Sequence, residues 1–112
     1  MLAPGPATRI YLATGATDLR KGFNGLYGLV RGVMDANPQS GHLFVFCNKG
    51  RNRLKILCWD GSGLWVCAKR LEKGTFFWPE HDEVRLQLTH AQFQLLLGGL
   101  DLRQTKMRGW IK

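Results

Sequence analysis

The sequence predicts an α+β domain, an antiparallel β-sheet of about four to six strands with two amphipathic helices packed mainly on one face. Three observations lead there. Apolar runs between residues 42 and 71 are joined by hairpin-length turn sequences, Asn48-Lys49-Gly50-Arg51-Asn52 and Asp60-Gly61-Ser62-Gly63. Two other segments repeat apolar residues at helical spacing. The chain has 112 residues, 45% hydrophobic and 21% charged, which suits a single domain able to bury its own core.

Residues 1–8 read as an irregular leader and residues 9–13 as a short strand. Thr14-Gly15-Ala16-Thr17-Asp18 is a turn whose last two residues can cap a helix. The helix is expected over residues 18–36. Leu19, Phe23, Leu26, Val30 and Val33 share one face there, and Arg20, Asn24, Arg31 and Asp35 lie opposite. Four glycines interrupt it, each costing ~1 kcal/mol relative to alanine in a helix interior. Gly22, Gly25 and Gly32 flank the apolar stripe, with Gly28 further round. Either the helix is weak with closely packed backbone, or another element or a partner chain presses on this flank. The second reading makes Gly22, Gly25, Gly28 and Gly32 a candidate partner interface. Asn37-Pro38 ends the helix.

Strands are then expected over residues 42–47, 53–59 and 64–71. Phe76-Phe77-Trp78, closed by Pro79, reads as a fourth strand of this block. Val84, Leu86 and Leu88 alternate with Arg85 and Gln87, the pattern of a half-buried strand. Thr89-His90-Ala91-Gln92 has the form of a capping box. It opens a second helix with an apolar stripe of Phe93, Leu96, Leu97 and Leu100, stopped by Gly98-Gly99. The globular core thus covers residues 9–102 and a basic tail covers 103–112.

No apolar run approaches the ~20 residues that span a bilayer, and the first residues show no secretory pattern, so a cytoplasmic location is expected. Cys47, Cys58 and Cys67 form no C-x-x-C and sit in apolar runs, as buried reduced thiols do. His42, His81 and His90 lack metal-ligand spacing. No metal and no cofactor is therefore expected. No phosphate-binding glycine loop, dinucleotide fingerprint, zinc-protease helix or nucleophile elbow is present. A metal-dependent nuclease needs convergent carboxylates, and Asp18, Asp60, Glu72 and Asp101 are scattered.

Charge is the most informative feature. Sixteen basic and eight acidic residues give a net charge of +8. Lys49, Arg51, Arg53, Lys55, Lys69, Arg70 and Lys73 lie close together in sequence against only Asp60 and Glu72, and Arg103, Lys106, Arg108 and Lys112 follow with no acid among them. If the second strand of this block begins early, Arg51, Arg53 and Lys55 project from one face, and Trp59 continues it. Trp65, Cys67 and Lys69 share a face of the next strand. Cations that neutralise phosphates, interleaved with indoles that stack on bases, suit a nucleic-acid surface. The candidate contacts are Lys49, Arg51, Arg53, Lys55, Lys69, Arg70, Lys73, Arg103, Lys106 and Arg108, with Trp59, Trp65 and Trp78 for stacking. Core packing is the other reading of the tryptophans.

Four segments carry a family resemblance: Arg20-Lys21-Gly22-Phe23-Asn24-Gly25-Leu26, Ser40-Gly41-His42-Leu43-Phe44-Val45-Phe46, Lys55-Ile56-Leu57-Cys58-Trp59-Asp60-Gly61-Ser62-Gly63-Leu64, and Lys69-Arg70-Leu71-Glu72-Lys73-Gly74-Thr75-Phe76-Phe77-Trp78-Pro79. In this order they resemble the TnpB (second open-reading-frame) accessory proteins of insertion sequence 66 elements, over residues 9–102. The resemblance departs at Gly50, where many relatives carry another basic residue. It implies a bacterial, nucleoid-associated protein that serves transposition beside a separate transposase and a second small accessory protein. It carries no catalytic residues over. The expected function is a non-catalytic DNA-binding subunit. The alternative is an interaction module that docks on the transposase or the second accessory protein without touching DNA.

Overall fold

Leu43-Phe44-Val45-Phe46-Cys47 is buried at every position, so this strand has protein on both sides. It is β2 and it lies at the centre of the sheet. The computed structural model describes residues 4–99. Its five strands are β1 (Ile10–Ala13), β2 (Leu43–Cys47), β3 (Arg53–Trp59), β4 (Leu64–Arg70) and β5 (Arg85–Leu88), in spatial order β4-β3-β2-β1-β5. Helix α1 (Phe23–Gly32) lies between β1 and β2 in the chain, and α2 (His90–Leu97) follows β5.

The fold is α+β and the sheet mostly antiparallel, with one exception. β1 runs parallel to β2, Ile10 facing Leu43 and Leu12 facing Val45. A parallel pair needs a long crossover, and the segment containing α1 supplies it. Hairpin spacing after residue 42 could not reveal this pair.

The helices do not share a face, which corrects the expected arrangement. Alternation along β2 sends Leu43, Val45 and Cys47 one way and Phe44 and Phe46 the other. The first set packs with Ile10, Leu12, Leu54, Ile56, Phe93 and Leu96, and so with α2. The second packs with Ala13, Leu57, Leu26, Val30 and Met34, and so with α1. Each helix covers one apolar face of the central strand, so neither face is left to water.

Three local expectations also change. Helix α1 begins at Phe23, not residue 18, with Gly22 as an N-cap that has no side chain to accept from the first-turn N–H groups. The Asp18 carboxylate is engaged instead by the backbone N–H of Arg20 at 3.0 Å and by its guanidinium. That closes a turn before the helix. Phe76-Phe77-Trp78 forms no strand. It is an irregular segment that places Phe76 and Trp78 in the α2-side core. The indole N–H of Trp78 donates to the Ala13 carbonyl at 2.9 Å, joining this segment to β1. Arg51 lies outside β3, in the left-handed region at φ 59°.

The capping box at α2 is formed as the sequence predicts. The Thr89 hydroxyl accepts from the Gln92 N–H at 3.0 Å, and the Gln92 side chain accepts from the Thr89 N–H at 2.8 Å. These bonds fix the entry of α2, which buries Phe93 and Leu96.

Candidate nucleic-acid interface

The open end of the β3–β4 hairpin and the turn between β1 and α1 enclose a groove of about 1010 Å3. Its cationic lining comprises Arg20, Lys49, Arg53, Lys55, Lys69 and Arg70, and its acids are Asp18 and Glu72. The β2–β3 loop is held rigidly at its rim. The Asn48 carboxamide oxygen accepts from the N–H groups of Asn52 and Arg53, both at 3.1 Å, and its amide donates to Asn52 at 2.8 Å.

The structure sorts the predicted cations by what each ammonium or guanidinium already touches. Lys55 Nζ donates to the carbonyls of Leu19 at 2.7 Å and Lys21 at 3.2 Å, so it ties β3 to the segment before α1. Lys69 Nζ donates to the carbonyl of Leu97 at 2.6 Å, a cation on the C-terminal end of α2. Arg51 does not share a face with Arg53 and Lys55, because its positive φ breaks the strand alternation. Its guanidinium lies 5.7 Å from the centre of the Trp78 ring. Arg70 pairs with Glu72 at 3.0 Å. Among the described residues the side chains of Lys49, Arg53 and Lys73 have no hydrogen-bond or ion-pair partner, and of these Lys49 and Arg53 line the groove. Arg103, Lys106 and Arg108 lie outside the described residues.

Arg20 is a groove cation absent from the predicted set. Its guanidinium reaches Asp18 at 2.7 Å. Its hydrogen bonds hold the Asp18 carboxyl well below the usual carboxylate range, and the carboxylate in turn raises the Arg20 guanidinium. The Asp-x-Arg spacing was the available signal, but a helical reading of this stretch conceals it.

The tryptophans do not converge. Trp78 is only 7% exposed, in the core. Trp65 is 51% exposed, on the α2 side of β4, with its indole N–H on Asp60 at 2.7 Å. Trp59 is half-buried at the turn end of β3. None lines the groove, and among the described residues no other aromatic side chain does. Backbone N–H groups of Ser62 and Gly63 together with the Trp65 indole hold the Asp60 carboxyl well below its usual range. Asp60 thus closes the hairpin turn. No group of three or more potential metal ligands is found among the described residues. Burial pushes the Cys47 and Cys58 thiols up.

The glycine flank of α1 is open at three positions. A Cβ at Gly22, Gly28 or Gly32 would meet nothing within 4 Å, while one at Gly25 would meet the Lys21 Cβ at 2.8 Å. Among the described residues nothing presses on Gly22, Gly28 or Gly32. Beside α1 lies a smaller cleft of about 380 Å3, lined in part by Leu29, Val33, Met34, Val84, Asp82 and Glu83.

The chain is similar in sequence to two proteins of Sinorhizobium fredii (strain NBRC 101917 / NGR234). One is Uncharacterized protein y4jC, 39% identical over 108 residues, covering 96% of this chain and 92% of the relative. The other is Uncharacterized protein y4hO, 40% identical over 103 residues, covering 92% and 90%. No solved structure matches the chain. The family model for the IS66 Orf2-like protein matches residues 8–107, and that span takes in every strand and helix described above. The chain belongs to the IS66 Orf2-like family.

Proposed function

We propose that this IS66 Orf2-like protein is a non-catalytic accessory subunit of transposition that binds the phosphate backbone of duplex DNA in the groove at the open end of the β3–β4 hairpin. The observation that carries the reading is a cation-lined groove in which Lys49 and Arg53 have no partner among the described residues. Among the described residues its lining holds no aromatic side chain, and so no platform for unstacked bases. It suits backbone contact without base readout, and neither α1 nor α2 lies in it as a recognition element.

Binding measured by fluorescence anisotropy across a salt series tests this. Two phosphates neutralised on duplex DNA give a slope of log affinity against log salt of roughly −2. Duplex should bind more tightly than single strand. A flat salt response, or a single-strand preference lost on replacing Trp65, refutes the reading.

A second reading is docking onto the transposase or the second accessory protein. The cleft beside α1 favours it, because Val33 and Val84 on its wall are 53% and 52% exposed. Val33→Asp should then abolish capture of the purified partner and leave DNA affinity unchanged. Unaltered capture overturns it.

A further inference from the structure

Arg53 and Arg70 are direct cross-strand partners at the open end of the β3–β4 hairpin. Residues so paired place their Cβ atoms about 5 Å apart, and like charges there repel. Only one of these two guanidiniums is neutralised. Glu72 meets Arg70 through both carboxylate oxygens, Nε to Oε2 at 3.0 Å and Nη2 to Oε1 at 3.4 Å. Arg53 has no partner among the described residues. Both arginines and Glu72 line the groove.

We infer that Arg53 and Arg70 together hold a single phosphodiester of DNA, and that Glu72 occupies Arg70 until that phosphate replaces it. This rests on the DNA-binding reading above and gives it a specific clamp. A guanidinium presents the same fork to a carboxylate and to two phosphate oxygens. Glu72 therefore stands in for the ligand on Arg70. One phosphate between two guanidiniums removes a repulsion that Glu72, bound to Arg70 alone, leaves in place. The exchange is easy, because the side chains of Arg70 and Glu72 are 59% and 78% exposed. An exposed pair of this kind holds weakly.

The test is the same duplex titration with Arg53→Ala, Arg70→Ala, their double variant, Glu72→Gln, and Glu72→Gln combined with Arg70→Ala. Thermal midpoints confirm that each variant folds. Removing either arginine should weaken binding with the salt slope little changed, because the other still neutralises the shared phosphate, and removing both should make the slope shallower by about 0.9. Glu72→Gln should tighten binding about two- to fivefold, and only while Arg70 is present. A double variant shallower by about 1.8 means two separate phosphates and overturns the clamp. A Glu72→Gln gain that is absent, or that survives loss of Arg70, overturns the exchange. A wild-type protein with a flat salt response overturns the DNA reading and the clamp with it. The other failures leave wild-type binding intact.

Discussion

Lys55→Met keeps the aliphatic stem of a half-buried side chain and removes its ammonium. Two contacts disappear, to the Leu19 carbonyl at 2.7 Å and the Lys21 carbonyl at 3.2 Å. A hydrogen bond from a charged donor contributes about 1.5–3 kcal/mol. The second contact is long and its surroundings exposed, so the pair together comes to about 2–3 kcal/mol. For a domain of this size, a loss of 1 kcal/mol lowers the thermal midpoint by about 4 °C, which gives a fall of about 8–12 °C. Urea unfolding should show a lower midpoint at an unchanged m-value. The DNA salt slope should stay at its wild-type value, because this ammonium is engaged inside the fold. A loss under about 0.5 kcal/mol refutes the tie between β3 and the α1 approach. A slope shallower by about 0.9 places Lys55 on a phosphate instead.

The carboxyls of Asp18 and Asp60 are both depressed in the folded state. Their stabilisation is therefore present above the ordinary carboxylate pKa of about 4 and is lost as pH falls below it. Urea midpoints from pH 6 to pH 2 should fall less steeply for Asp60→Asn than for wild type. Gly28→Ala places a methyl group in open space on an exposed helix surface, and should raise stability by about 0.5–1 kcal/mol in the same assay. Trp78→Phe removes the donor to the Ala13 carbonyl, at a cost of about 1–3 kcal/mol in urea. Alkylation of the native protein, followed by mass spectrometry of peptides, should label half-buried Cys67 before Cys47 or Cys58, which are buried with raised pKa.

What was legible in the sequence is local. The Thr89–Gln92 capping box closes within one helical turn, so spacing alone locates it. The β3 and β4 strands join through a turn that Asp60 organises on its own neighbours, and they appear where alternation and turn residues put them. What was hidden depends on partners far along the chain. Lys55 looks like one more strand cation until the carbonyls at residues 19 and 21 come beside it. Trp78 looks like a stacking ring until Ala13 receives its N–H. The row Arg51, Arg53, Lys55 is regular in sequence, but the left-handed backbone at Arg51 divides it. The continuous apolar run of β2 did carry the two-sided arrangement. A strand without polar positions needs a cover on each face, and two helices can supply one apiece.

Strand β1 sits between β2, which it meets across one crossover, and β5, which lies more than 70 residues further on. The meander from β2 to β4 can close through short loops as soon as its own residues exist. β1 cannot: its outer edge, with Ile10 and Leu12 facing Leu88 and Leu86, stays open until Arg85–Leu88 has been synthesised. During translation β1 therefore waits as an unpaired apolar edge for a strand more than 70 residues downstream. A chain cut short before residue 85 would expose that edge permanently and self-associate through it.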